Sequence, residues 1–292
     1  MVSWLDANAT TMLNGLALAG VLFLIAVGLS LVFGTMDVLN LAHGALFLGG
    51  AYLGAALSGG WGGFLAALAI AAAAGAVAGG VLSLMTEPLR NRSHLDQALL
   101  TLGIALVVAE LLIMAFGDDP LSVNAPPGLD GSVTVLGAVY PSYRLVIIGV
   151  GAVLALVVWL VVERTRVGSL VRATVADREM VATLGVDNRL VKVAVFAVGS
   201  ALATAAGVLG GPIYGARPGL DAAVLILALV VVVIGGLGSV RGALVGALVI
   251  GQVDTLGRVL LPDLASFILF AALAIVLVVR PQGIFAGPVG AR

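Results

Sequence analysis

The chain has 292 residues, of which 61% are hydrophobic and only 10% charged, with a formal net charge of −1 and a mean hydropathy of +1.21. Soluble domains carry roughly 45–50% apolar and about 25% charged residues, so a water-soluble enzyme or binding module is excluded and lipid must be the solvent. Cysteine is absent, which leaves neither a disulfide framework nor a thiolate metal site, and no metal, cofactor or nucleic-acid partner is expected.

Apolar stretches able to cross a bilayer, about 20 residues each at 1.5 Å rise, follow one another along the whole chain. In order they occupy 6–37, 37–87 (enough for two crossings and containing His43), 96–116, 145–162, 193–216, 222–240, 242–261 and 264–279. The expected fold class is all-α, a polytopic transmembrane helix bundle of about 8–10 helices forming one domain over the full chain. The first helix reads as retained, because no basic region precedes it as in a cleavable signal.

Charge placement predicts orientation, since Lys and Arg collect in cytoplasmic loops. Residues 164–190 hold Arg164, Arg166, Arg172, Arg178 and Arg189, with Lys192 just beyond, and are assigned to the cytoplasm. Counting crossings outward puts Arg90, Arg92, Arg241, Arg280 and Arg292 on the same side, with Arg144, Arg217 and Arg258 as exceptions. The N-terminus is then outside and the C-terminus cytoplasmic. The outer loop, 117–143, carries Pro120, Pro126, Pro127 and Pro141 and predicts irregular chain with a hairpin near 128–139. In the inner loop Asp177 predicts the N-cap of a short helix through Leu184, closed by Gly185. Met180, Val181 and Leu184 are expected to share one face, away from Arg178 and Glu179.

Two segments break the hydrophobic rhythm. Gly34-Thr35-Met36-Asp37-Val38-Leu39-Asn40-Leu41-Ala42-His43-Gly44 places an acid, an amide and an imidazole between apolar runs, and Gly235-Gly236-Leu237-Gly238-Ser239-Val240-Arg241-Gly242 is a second, Gly-rich break. Polar groups in hydrocarbon face protein or a water-filled cavity. Broken helices in matching places of two halves are the pattern of an internally repeated transporter. Asn40, His43, Gly44, Gly236 and Gly238 are therefore the candidate residues of a translocation path. Plainer readings are available for each: His43 as a helix cap at the cytoplasmic interface, Asn40 as an N-cap, the glycines as packing contacts, and Asp254 with Arg258 as an intrahelical pair.

These breaks carry a resemblance. Gly28-Leu-Ser-Leu-Val-Phe-Gly34, continuing through Val38-Leu-Asn-Leu-Ala-His-Gly44 to Gly49-Gly-Ala-Tyr52, resembles the permeases of branched-chain amino acid ABC transporters, the LivH-type membrane subunits. Arg172-Ala173, Asp177-Arg178-Glu179-Met180 through Leu184-Gly185-Val186, Gly235 to Gly242 and the terminal Arg280-Pro-Gln-Gly-Ile-Phe285 are similar to the family's later motifs. The resemblance covers about Leu13 to Phe285. It implies a single permease domain in the cell membrane of a bacterium, working with a sister permease, two cytoplasmic ATP-binding subunits and an extracytoplasmic solute-binding protein. Arg172, Asp177, Arg178, Glu179, Leu184 and Gly185 would then form the ATPase-coupling element. The chain itself would be no enzyme, and it has no P-loop of its own.

Other readings on the same scaffold are a permease for urea or short amides and, from a different class, an ion-coupled secondary carrier. A carrier usually places several ionisable groups at mid-membrane, and this chain has few. An intramembrane protease is disfavoured, since both histidines, His43 and His94, lie in the first third and no HExxH is present.

Overall fold

The computed structural model describes residues 2–36, 39–89, 92–135, 138–280 and 283–285. The readings placed on Asp37, Val38, Arg90, Pro281, Gln282, Arg292 and the Arg178 side chain lie outside the described residues. The chain is helical almost throughout. The helices are α1 (Val2–Met36), α2 (His43–Leu57), α3 (Trp61–Thr86), α4 (His94–Phe116), α5 (Ser142–Arg164), α6 (Arg166–Ala176), α7 (Arg178–Thr183), α8 (Asn188–Tyr214), α9 (Leu220–Gly235), α10 (Val240–Leu260) and α11 (Ala265–Val279). The predicted hairpin in the outer loop is present as β1 (Ser132–Val135) paired antiparallel with β2 (Ala138–Pro141).

Among the described residues six helices are long and apolar enough to cross a membrane, namely α1, α3, α4, α5, α8 and α10, and three shorter apolar ones join them. The polytopic all-α bundle expected from composition is thus present. At 15 residues for α2 and 16 for α9, the short helices reach only about 22–24 Å, against about 30 Å of hydrocarbon. Both stand inside the bundle. Most of α1 and α8 is also buried, whereas α3, α4 and α5 turn most of their surface outward.

The charged connections gather at one end. There Arg241 and Arg172 approach Glu163 at 3.4 and 3.8 Å, and Lys192 of α8 meets Glu87 after α3 at 2.9 Å. Helices starting at this end carry side-chain caps: Ser93 for α4, Thr165 for α6, Asp177 for α7, Asp187 for α8 and Ser239 for α10. The opposite end holds the hairpin, the Leu121–Ala216 bridge and the Trp61 Nε1–H bond to the Pro127 carbonyl at 3.0 Å.

An internal repeat is visible, in a different register from the one the sequence breaks imply. α1-α2-α3-α4 and α8-α9-α10-α11 run through the bundle in opposite senses, and their packing corresponds: α3 lies along α8 as α10 lies along α1, while α2 and α9 meet each other. Gly28 and Gly199 mark the crossing of α1 and α8, where a Cβ on Gly28 would stand 2.6 Å from the Gly199 carbonyl oxygen. In this alignment the break before α2 matches the Arg217-Pro218-Gly219 link before α9. The Gly235–Gly242 break matches the Ser58-Gly59-Gly60 turn between α2 and α3. The two Gly-rich turns are alike in composition because each reverses the chain after a half-length helix, with positive φ at Gly60, Gly236 and Gly238. Repeats inverted about an axis in the membrane plane are a common transporter design.

Candidate functional site

The segment after α1 returns toward the middle of that helix. The chain turns back into the bundle, and α2 begins at the depth of the middle of α1, where the His43 Nε2–H donates to the Ile25 carbonyl at 3.2 Å. His43 is fully buried. The reading of His43 as a cap at the cytoplasmic interface is therefore corrected: it anchors the start of α2 to the flank of α1.

Backbone groups released at such depth have no water to meet and must be satisfied by protein. Thr101 on α4 does much of this, its hydroxyl accepting the Leu41 N–H at 3.1 Å and donating to the Leu39 carbonyl at 3.0 Å. The Asn40 side-chain oxygen accepts the Ala42 N–H at 3.1 Å, and the Asn40 carbonyl takes the His43 N–H at 3.3 Å. Ala42, not Asn40, occupies the N-cap position of α2 and supplies no side-chain cap. Asn40 makes an Asx-type turn just before it. Two polar atoms in this fully buried cluster have no partner among the described residues, the amide nitrogen of Asn40 and Nδ1 of His43.

Gly44 follows at once and is a true steric requirement. A Cβ here would stand 2.3 Å from the Asp221 carbonyl oxygen and 2.9 Å from Leu225 Cβ. The start of α2 thus abuts the first turn of α9, whose own N-cap, Gly219, is left-handed at φ 81 and provides no side-chain cap either. Each helix start carries orphan N–H donors and the positive end of a helix dipole, and two of them converge inside the bundle. Asp221 in the first turn of α9 supplies the one acid at this meeting among the described residues.

The other two path candidates are elsewhere. Gly238 packs on Gly34 at the charged end of the bundle, a Gly34 Cβ lying 2.3 Å from the Gly238 Cα, and its N–H donates to Ser30 Oγ at 3.0 Å. Gly236 is covered by Gly283, while the N–H groups of Ile284 and Phe285 donate to the Ile234 and Gly235 carbonyls at 2.9 and 3.0 Å. The terminal motif thus caps the C-terminus of α9. Asn40, His43 and Gly44 form one site; Gly236 and Gly238 form a turn about half a helix away.

The inner loop folds close to expectation. Asp177 accepts the Met180 N–H at 2.9 Å, and Gly185 takes φ 84 with its N–H bonded to the Ala182 carbonyl at 3.0 Å. Arg172 donates to the Val162 carbonyl, tying α6 back to α5. The expected shared face of α7 is corrected, because Val181 is buried while Met180 and Leu184 are 60% and 73% exposed. Glu179 is exposed beside them.

Sequence reasoning missed Thr101, Ser30 and Asp221. A hydroxyl inside an apolar helix gives no periodic signal. Asp221 had one, the Arg217-Pro218-Gly219 breaker immediately before a short apolar run.

Over residues 11–277 the chain matches the family described as branched-chain amino acid transport system, permease component. It is 29% identical, over 95% of both chains, to the high-affinity branched-chain amino acid transport system permease protein LivH of Escherichia coli strain K12. It is equally similar to LivH of Salmonella typhimurium and, at 29% over 95% of both chains, to the corresponding BraD protein of Pseudomonas aeruginosa. No solved structure matches it.

The clamp on the break is testable. Thr101→Val keeps the shape but removes the hydroxyl, leaving the Leu41 N–H and the Leu39 carbonyl unsatisfied, at a cost of about 1–3 kcal/mol. Thermal unfolding in detergent is expected to show a clear loss of stability for Thr101→Val and near-native behaviour for Thr101→Ser.

Proposed function

The chain belongs to the family of branched-chain amino acid transport permeases, and from that premise we propose that it forms the translocation path of a bacterial ATP-driven importer for branched-chain or related amino acids. It is a membrane subunit and not itself an enzyme. The observation that carries this reading is the meeting of two half-helix starts without side-chain caps beside the amide nitrogen of Asn40, which has no partner among the described residues. Helix starts aimed at a mid-membrane site favour an anionic group. A zwitterionic solute would offer its carboxylate to those N–H donors and to Asn40, and its ammonium to Asp221. Short apolar walls of α2, α8 and α9 would receive an aliphatic side chain.

In this reading the chain works with a sister permease, two cytoplasmic ATP-binding subunits and an extracytoplasmic solute-binding protein. The clustering of Arg and Lys at one end supports a cytoplasmic position for that end, and in this reading the N-terminus is outside and the C-terminus inside. The single permease domain presents residues 164–190 to the ATPase and residues 117–143 to the binding protein. Arg172 fastens the coupling element to α5, and Asp177 and Gly185 fix the two ends of α7. Arg178, Glu179, Met180 and Leu184 are the docking residues. The Gly236–Gly238 turn beside α6 is the joint through which movement of that element reaches α1, since Gly238 touches both Gly34 and Val175.

Two experiments test these roles. Asn40→Asp keeps the oxygen that holds the Ala42 N–H but adds a negative charge. Uptake per assembled complex is expected to fall by about tenfold or more, the scale of losing a hydrogen bond to a charged group; wild-type uptake in this variant would leave Asn40 a structural residue. At the coupling element, Leu184→Asp and Gly185→Val are expected to uncouple ATP hydrolysis from uptake in reconstituted vesicles while the helix bundle still assembles. Gly185→Val acts by penalising the left-handed turn by roughly 1–2 kcal/mol. Normal coupling in both variants would exclude docking through α7.

A further inference from the structure

Four helices turn most of their surface outward, α3, α4, α5 and α11. α3 and α11 carry no charged residue, and α5 carries Arg144, Glu163 and Arg164 only near its two ends. That is what a lipid-facing helix requires. α4 departs from it. Beyond His94 and Asp96 in its first turn it holds one acid in its interior, Glu110. Gln97, Thr101 and Ala105 form the buried face of α4. Leu99, Gly103, Leu106, Glu110 and Met114, spaced by three and four residues, form an exposed stripe on the opposite side. Glu110 therefore faces directly away from the bundle, and among the described residues no cation pairs with it.

Nor does this acid lie at the surface of the bilayer. The 23 residues of α4 extend roughly 34 Å, against about 30 Å of hydrocarbon. Glu110 stands six residues before Phe116, where α4 ends on the hairpin side of the bundle. With the helix centred, it lies roughly 7 Å inside the boundary. Side chains leave a helix tilted toward its N-terminus, and α4 starts at the charged end. The carboxylate is thus directed deeper, away from the nearer surface. Ionisable groups at such depth are costly against lipid; they face protein or water and find a counter-group. Gly103, in the same stripe, leaves its surroundings open, since a Cβ there would meet nothing within 4 Å. A small residue at that position lets a second helix backbone approach closely.

We propose that this stripe of α4 is the surface on which the sister permease packs, with Glu110 paired to an Arg or Lys on a membrane helix of that subunit. The proposal rests on the sister-permease reading given above. Charge complementarity selects the occupant. In a closed pair of identical chains the stripe would meet itself and set two Glu110 carboxylates together at one depth, a costly like-charge contact. A different chain carrying a cation at that depth removes the cost. The ion pair then fixes the depth and rotation of one helix against the other, while the apolar residues and Gly103 supply close packing.

The test uses the assembled transporter in its native membrane, with an affinity tag on this chain. A photocrosslinking residue placed at Leu106 or Met114 is expected to join this chain to the sister permease, identified by mass spectrometry. One placed at Val77, on the exposed face of α3, is expected to join it to no protein. Glu110→Leu is expected to lower the sister permease recovered with this chain in detergent by about tenfold or more, the scale of leaving a buried cation without its partner. Glu110→Gln is expected to lower it less. The amount of this chain in the membrane should stay at the wild-type level in both variants. If lipid alone covered α4, Glu110→Leu would leave recovery unchanged or raise it. That result would overturn the proposal, as would cross-links from Val77 to the sister permease with none from α4; the sister-permease reading would survive either. Cross-links from α4 to a second copy of this chain would also overturn the proposal. Absence of any second permease chain from the wild-type preparation would overturn the sister-permease reading itself.

Discussion

A backbone amide that leaves a helix inside a bilayer has no water to turn to, and every other feature of this structure is arranged around that constraint. The chain breaks helix inside the bundle between α1 and α2, and again in the Arg217-Pro218-Gly219 link before α9. At the first break the Thr101 hydroxyl and the Asn40 side chain take up freed backbone groups, and the Ile25 carbonyl accepts the His43 ring N–H. At the C-terminus of α9 the Ile284 and Phe285 amides close the last carbonyls. Among the described residues the amide nitrogen of Asn40 and Nδ1 of His43 are left without a partner, and neither α2 nor α9 has a side-chain cap at its start. Unpaired polar groups in hydrocarbon are costly.

The inverted repeat supplies the frame for this. Because α1 and α8 cross at Gly28 and Gly199 with almost no side chain between them, the two half-helices are brought start to start across the crossing. Close approach through glycine is the usual means of helix association in lipid, where apolar side chains gain nothing from burial. Many glycines of this chain serve as such packing contacts: Gly50 faces the Thr204 carbonyl, Gly207 the Phe47 carbonyl and Gly79 the Phe196 carbonyl. A bundle held by such contacts can also slide or tilt as units, as alternating access demands.

Much of this was legible in the sequence, and the remainder has identifiable reasons for being hidden. Hydropathy reports length and polarity, so the class of fold, the hairpin and the capped inner helix with Asp177 and Gly185 at its ends were all readable. The presence of a break at Asn40–Gly44 was readable too, because polar residues in an apolar run are rare. Depth was not. A polar break looks the same whether it lies at an interface or returns into the bundle, which is why a cap at the interface stood beside the path reading for His43. The register of the repeat was hidden for a related reason: Gly-rich turns advertise themselves, while Arg217-Pro218-Gly219 resembles an ordinary loop. Thr101 gave no signal, since one hydroxyl barely alters hydropathy and its partners are 60 and 62 residues away.

The central claim is that α2 and α9 both begin inside the hydrocarbon and meet there. A cryo-EM map of the assembled complex in a lipid nanodisc, where the bilayer boundaries are visible, tests it most directly. The account predicts that the 39–42 segment and the first turn of α9 lie in contact, well within those boundaries, with Thr101 against the Leu41 amide. A map placing the α1–α2 link at the headgroup level, or the starts of α2 and α9 apart on opposite surfaces, would contradict it.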